Sequence, residues 1–209
     1  MLGWITTFFK AKSSKVDKDE NISSSSSQAA SSPAAVCSQH QSLLDSAVRW
    51  SRPYDVFVCH SCEPGDTEEA ERLVSFLEAP SRNLRCYLSH RDSSPGAAIP
   101  TELYQAVHNS HIKVLLVSQH FLSDGWCTYV MHQAMVDGPM SNRLIPLVRN
   151  LMHSDVPPEL KVYSYCDLSR NTELCFALVY RTVLQYLKDL LALDEKVKDL
   201  SSSSSISVT

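Results

Sequence analysis

The side chains of this sequence best equipped for chemistry crowd one short stretch, Cys59-His60-Ser61-Cys62, with Asp66 close behind. His60, Ser61 and Asp66 are the residue types of a hydrolase triad, in which a base-activated hydroxyl attacks an acyl carbon. They share a single loop, however, and no glycines frame Ser61 as a nucleophile elbow would require. Cys59 and Cys62 have the Cys-x-x-Cys spacing of a redox pair or half a zinc site. A structural zinc site needs four ligands, and no second pair at metal spacing follows, so neither a metal nor a cofactor is expected. Asp66, Glu68, Glu69 and Glu71 read as the solvated, dipole-favoured first turn of a helix.

A second stretch has the character of a contact surface. Arg91-Asp92-Ser93-Ser94-Pro95-Gly96-Ala97-Ala98-Ile99 begins polar and ends small. Pro95 fixes φ and Gly96 permits φ > 0, which predicts a tight, protruding turn. Such a loop suits docking onto another protein.

These stretches must be positioned by regular elements, and the apolar pattern alternates between two periods. Tyr54–Cys59 is a short, largely β-branched run of the kind that forms a strand covered on both faces. Asp66 and Glu69 resemble a capping box, after which Ala70, Leu73, Val74 and Leu77 fall on one helix face, ended by Pro80. Strands are expected at Leu84–Leu88, His111–Val117, Arg143–Val148 and Lys161–Cys166. Helices are expected at Pro100–His108, about Ser123–Met135 and Thr172 to about Leu193. Pro146 inside the fourth run points to an edge or a bulge, because proline cannot donate to a ladder. Alternating β and α with right-handed crossovers implies an α/β, flavodoxin-like fold: a mainly parallel five-stranded sheet with helices on both faces.

Composition bounds the rest. The 209 residues carry a formal net charge of −4 and a sequence pI near 6.0, without the concentrated basic surface of nucleic-acid binders. The packed domain is expected over residues 52–193, between a Ser-rich disordered linker at 21–51 and a Ser-rich tail at 194–209. The start lacks a basic n-region, its apolar stretch ends at Phe9, and no later run approaches the ~20 apolar residues that span a bilayer. Seven scattered cysteines, an odd number, suit reduced thiols better than a disulfide framework. A cytosolic protein is expected.

Tyr54-Asp55-Val56-Phe57-Val58-Cys59-His60, then Arg91-Asp92 with Pro95-Gly96, then Phe121-Leu122 with Trp126-Cys127, resemble successive signatures of the Toll/interleukin-1 receptor (TIR) domain family, in its order and spacing. The resemblance covers roughly Tyr54 to Leu190 and implies that Arg91–Ile99 is the loop by which one TIR domain docks onto another. Some members cleave NAD with a glutamate three residues after the Trp-Cys cysteine; that position here is Val130, which cannot supply the carboxylate. Where the family often shows Phe-Trp near the last helix, this chain offers Phe176-Ala177. The flanking plan, with Pro157-Pro158-Glu159-Leu160, is similar to the family's adaptors. That similarity implies a non-enzymatic bridge between Toll-like receptor TIR domains and the downstream myeloid differentiation TIR adaptor, acting by homo-oligomerising assembly and leading to NF-kappa-B and inflammatory signalling. The alternatives are an inhibitory TIR protein and an NAD-cleaving enzyme. Pro157 and Glu159 also match part of a motif for TRAF-type ligases, with Val162 at its aromatic position.

The first 20 residues form a second candidate region. Leu2, Ile5 and Phe9 share one helical face beside Trp4 and Phe8, and Lys10, Lys12, Lys15 and Lys18 follow. Apolar anchors next to lysines suit an anionic, phosphoinositide-bearing inner leaflet of the plasma membrane, each lysine contributing about 1 kcal/mol.

Overall fold

The computed structural model describes residues 42–204 apart from Asn142, with side chains described to Leu200. The expected membrane segment and most of the expected linker lie outside these residues. Five strands form one sheet: β1 (Tyr54–Cys59), β2 (Cys86–Leu88), β3 (Ser110–Val117), β4 (Leu144–Val148) and β5 (Cys166–Asp167). Between them run α1 (Pro64–Glu78), α2 (Ser89–Asp92), α3 (Ile99–His108), α4 (Gln119–Ser123) and α5 (Gly125–Met135), and α6 (Thr172–Ser204) follows. The strand order is β2-β1-β3-β4-β5, with every neighbouring pair parallel. This is the flavodoxin-like arrangement expected from the alternating pattern.

The long strands feed two cores because successive side chains leave opposite faces. Val56, Val58, Ile112, Val114 and Leu116 point to one side, where Leu73 and Leu77 of α1 meet Phe176 and Val183 of α6. Phe57, Cys59, Leu115 and Val117 point to the other, packing on Leu103 of α3 and Val130 of α5. Phe176, at the altered family signature, is thus a core residue, with its ring centroid 5.7 Å from that of Phe76.

Several boundaries differ from expectation, each for a physical reason. β4 tolerates Pro146 because β5 pairs only with Leu147 and Val148, so at Pro146 the outer side of β4 is already an edge. The expected fifth strand at Lys161–Cys166 is displaced: Leu160–Val162 is a 3-10 turn that buries Leu160, and pairing begins only at Cys166. α6 continues past Leu193 to Ser204. The expected linker is packed at its end, where Leu43, Leu44 and Arg49 are buried. Arg49 donates to both oxygens of Asp55 at 2.5–3.0 Å, and Arg85 donates to the same carboxylate at 2.7 Å. Burial pushes the Asp55 carboxyl up, but the bonds from Arg49 and Arg85 outweigh it and hold it below its ordinary range. No helix among the described residues is long and apolar enough to cross a membrane.

Candidate docking site

Loops at the carboxyl ends of β1, β2 and β3 converge on one rim of the sheet, the usual site of function in this architecture. The loop after β2 has a pinned base and a free tip. Its first four residues form α2, and Asp92 Oδ2 accepts the Leu88 N–H at 2.7 Å. Arg91 grips both Glu78 carboxylate oxygens at 2.9 and 3.0 Å, donates to the Cys86 carbonyl at 2.8 Å, and pairs with Asp92. The Asp92 and Glu78 carboxylates raise the Arg91 pKa further above its ordinary range. Ser93 is tied to Tyr87 by a hydroxyl contact of 3.1 Å.

Beyond Ser93 the chain turns out into solvent. The Ala97 N–H donates to the Ser94 carbonyl at 3.1 Å, and Gly96 has φ +88°, which with Pro95 before it is the pattern of a type II turn. Ser94, Pro95, Gly96, Ala97, Ala98 and Ile99 are all exposed. Glu102 of α3 accepts the Ser94 N–H at 2.8 Å, so the tip hangs between two fixed points.

Under the loop lies a cleft of about 540 Å³ whose walls include Phe57, His90, Ile99, Leu103, Trp126 and Val130. Ile99 and Trp126 are 52% and 46% exposed, which puts apolar surface at its mouth. Asp124 caps α5, its carboxylate accepting the Trp126 and Cys127 N–H groups at 2.7 and 3.1 Å. One turn further on, the side chain at the family's glutamate position is the buried isopropyl group of Val130.

The triad residue types make structure here. Ser61 Oγ donates to Asp66 Oδ2 at 2.6 Å, the Ser118 hydroxyl donates to the same oxygen, and Arg149 donates to Asp66 Oδ1 at 2.8 Å. Asp66 is fully buried, which corrects its expected place on a solvated helix face: Glu63 is the N-cap, accepting the Asp66 N–H at 3.0 Å, and Asp66 turns inward to join three loops. His60 Nδ1 is bonded to the Ser61 carbonyl and makes no bond to the Ser61 hydroxyl. The Cys59 thiol is pushed well up by its bond with Cys127 and by burial, which disfavours the nucleophilic thiolate. Cys62 is exposed.

Pro157 and Glu159 lie beside the 3-10 turn, and Val162 is 65% exposed while Leu160 anchors the segment in the core. They are therefore presented on a folded turn. Trp4, Phe8, Phe9, Lys10, Lys12, Lys15 and Lys18 lie outside the described residues. The sequence reading missed the Arg49–Asp55–Arg85 cluster. Its signal was Asp55 itself, a carboxylate inside an apolar strand, which demands a cation.

Known proteins resemble this chain in sequence and fold. The TIR domain family model matches residues 56–178. The human Toll/interleukin-1 receptor domain-containing adapter protein is 45% identical over 143 residues, which cover 68% of this chain and 63% of the human protein. Toll-like receptor 4 of Pongo pygmaeus is 31% identical over 141 residues, 65% of this chain and 17% of the receptor. The alignments thus span less than two thirds of either relative. The TIR domain of the Toll-related receptor TRR-2 from Hydra magnipapillata superposes with a TM-score of 0.52 at 20% identity, covering 62% of this chain and 98% of that domain, a likeness of fold.

Proposed function

Since the chain belongs to the TIR domain family, we propose that it is a signalling adaptor that works by TIR–TIR assembly and catalyses no reaction. It bridges Toll-like receptor TIR domains to the downstream myeloid differentiation TIR adaptor, leading to NF-kappa-B and inflammatory signalling. The observation that carries this reading is the Arg91–Ile99 loop, whose base is pinned by Arg91 and Asp92 while Pro95 and Gly96 stand free at the tip. A rigid base lowers the ordering cost of docking, and an exposed tip is what a partner meets. The similarity to an adaptor and to a Toll-like receptor supports the same reading. Val130 argues against NAD cleavage, because the cleft floor holds a buried aliphatic side chain at the glutamate position.

The finer proposal places the protein on the inner face of the plasma membrane. Trp4, Phe8 and Phe9 with Lys10, Lys12, Lys15 and Lys18 would hold it reversibly on phosphoinositide-bearing lipid. Confinement there raises the effective concentration, so that weak loop contacts suffice to build a homo-oligomeric assembly. A TRAF-type ligase would meet the surface around Pro157 and Glu159.

The decisive experiment is a pull-down of receptor and adaptor TIR domains with wild type and Pro95→His side by side. Loss of partners by a variant that keeps the wild-type circular dichroism and a cooperative melt is expected; undiminished capture would refute the loop's role. A fluorescent fusion lacking residues 1–20 is expected to leave the plasma membrane.

A further inference from the structure

Two histidines 30 residues apart in sequence meet at the mouth of the cleft. His60 follows β1, and His90 lies in α2. His60 Nδ1 is 2.7 Å from the Ser61 carbonyl oxygen, and His90 Nε2 is 3.0 Å from Glu71 Oε1. A carbonyl and a carboxylate can only accept, so each ring carries a proton on that nitrogen. The remaining nitrogens, His60 Nε2 and His90 Nδ1, stand 3.2 Å apart. When both rings are neutral, two lone pairs face each other, an arrangement that calls for an electron-poor atom between them.

We propose that His60 Nε2 and His90 Nδ1 form a two-histidine site for a first-row divalent cation of the Zn²⁺ type, with its other coordination positions taken by water. Zinc–nitrogen bonds of about 2.0–2.1 Å at a tetrahedral angle put two ligating nitrogens about 3.3 Å apart and their ring centres about 5.2 Å apart. The ring centroids here are 5.2 Å apart. Both outer nitrogens are already held by oxygen acceptors, the outer-shell pattern that fixes tautomer and orientation in metal-binding histidines. His90 is 39% exposed, which gives a solvent-borne ion access. Among the described residues no group of three His, Cys, Asp or Glu side chains could hold a metal, so the site is open and its affinity modest.

The competing occupant is a proton. Burial lowers the His60 pKa and the neighbouring His90 lowers it further, while the Ser61 carbonyl, Asp66 and Glu71 oppose this. The net direction favours a bare His60 Nε2 at neutral pH. A bound ion would clamp the end of β1 to the base of the loop after β2 and so stiffen that loop. The inference rests on the histidine geometry and does not depend on the docking role.

The test uses the purified full-length chain, stripped of metal, titrated with Zn²⁺ alone at pH 7.5 against a chromophoric chelator. One ion per chain is expected. His60→Gln and His90→Gln should each weaken binding more than about tenfold, and Glu71→Gln about tenfold. Cys62→Ser should leave it unchanged, His90→Cys should retain it, and acidification should release the ion as a proton displaces it from His60 Nε2. Circular dichroism of each variant separates lost ligands from lost fold. Absence of stoichiometric binding, or binding that survives both His→Gln changes, would overturn the proposal. So would binding abolished by Cys62→Ser, which would assign the ion to thiols.

Discussion

Asp92 closes its own loop onto the strand it has just left: its carboxylate accepts the N–H of Leu88, four residues back, at 2.7 Å. That bond makes the base of the loop after β2 a folded turn and separates a structural half, Arg91 and Asp92, from an exposed half, Pro95 and Gly96.

Replacing Asp92 by Ala should therefore act on stability first. The change strips the acceptor from the Leu88 N–H at the end of a buried strand, at a cost of about 1–3 kcal/mol. Arg91 and Glu78 are 40% and 33% exposed, so their coupling in a double-mutant cycle should stay at or below about 1 kcal/mol despite the bidentate geometry. Urea titrations measure both quantities. An Asp92→Ala protein as stable as wild type would show that the turn holds without the bond.

At the tip, backbone conformation and partner contact separate. Nothing lies within 4 Å of a Cβ added at Gly96, yet its φ is +88°, so Gly96→Ala should cost about 1–2 kcal/mol from backbone conformation alone. Pro95→His, at an exposed position, should cost no more than about 1 kcal/mol, through the freer unfolded chain, while removing TIR partners. If Gly96→Ala melts like wild type, the left-handed turn is not populated in solution.

Arg49 offers a test of where the domain begins. It is buried against Asp55, and Arg49→Met leaves that carboxylate with Arg85 as its remaining side-chain partner, at a cost of about 2–4 kcal/mol. Because Asp55 is held below its ordinary range, its contribution to stability is present above pH 4 and is lost as pH falls through the depressed value. The variant should thus lose less stability than wild type on acidification. Equal acid sensitivity would remove Arg49 from that account.

These residues also show what a sequence can and cannot disclose. Apolar alternation and the Pro95-Gly96 turn are local signals, and the parallel sheet and the exposed loop follow from them. The two-residue β5 carries too little pattern to be found, and its apparent run at Lys161–Cys166 alternates because Tyr163 and Tyr165 pack half-buried against the second core while Val162 and Ser164 are exposed. Arg49 sits at the end of a serine-rich stretch, where composition argues for linker. The inward turn of Asp66 and the meeting of His60 with His90 depend on loops brought together only by the finished sheet.

Lys113 gives the clearest pH dependence. It is 2% exposed on β3 and bonded to Asp137 at 2.5 Å, yet burial depresses its pKa to about 8. Asp137 is a third exposed and also paired with Arg143; burial pushes its carboxyl up, but Lys113 and Arg143 together outweigh burial and hold it below its ordinary range. Between pH 8 and the ordinary lysine value near 10.5 the unfolded chain keeps a proton that the folded one has released, so stability rises with pH across that window, by roughly 3 kcal/mol. Lys113→Met removes this slope and should be as stable as wild type or up to about 2 kcal/mol more stable at pH 7. Other groups titrating in the window are common to both proteins and cancel. Identical slopes for the two would show that Lys113 keeps its proton when folded.

Val130 offers a test of the non-enzymatic proposal. It is 1% exposed among Leu103, Phe121 and Cys127, and Val130→Glu would place a carboxyl group in that apolar wall. Burial would push the new carboxyl toward its neutral form, and the cost should be on the order of 3 kcal/mol, read as a fall in the urea midpoint. A neutral acid walled in this way cannot serve as the carboxylate that NAD cleavage needs. Neither wild type nor Val130→Glu should release nicotinamide from NAD, and wild type should still capture TIR partners in the same preparation. Turnover by wild type would overturn the adaptor reading. Turnover gained only by Val130→Glu would mean instead that the rest of the cleft is built for the nucleotide and that one side chain withholds the reaction.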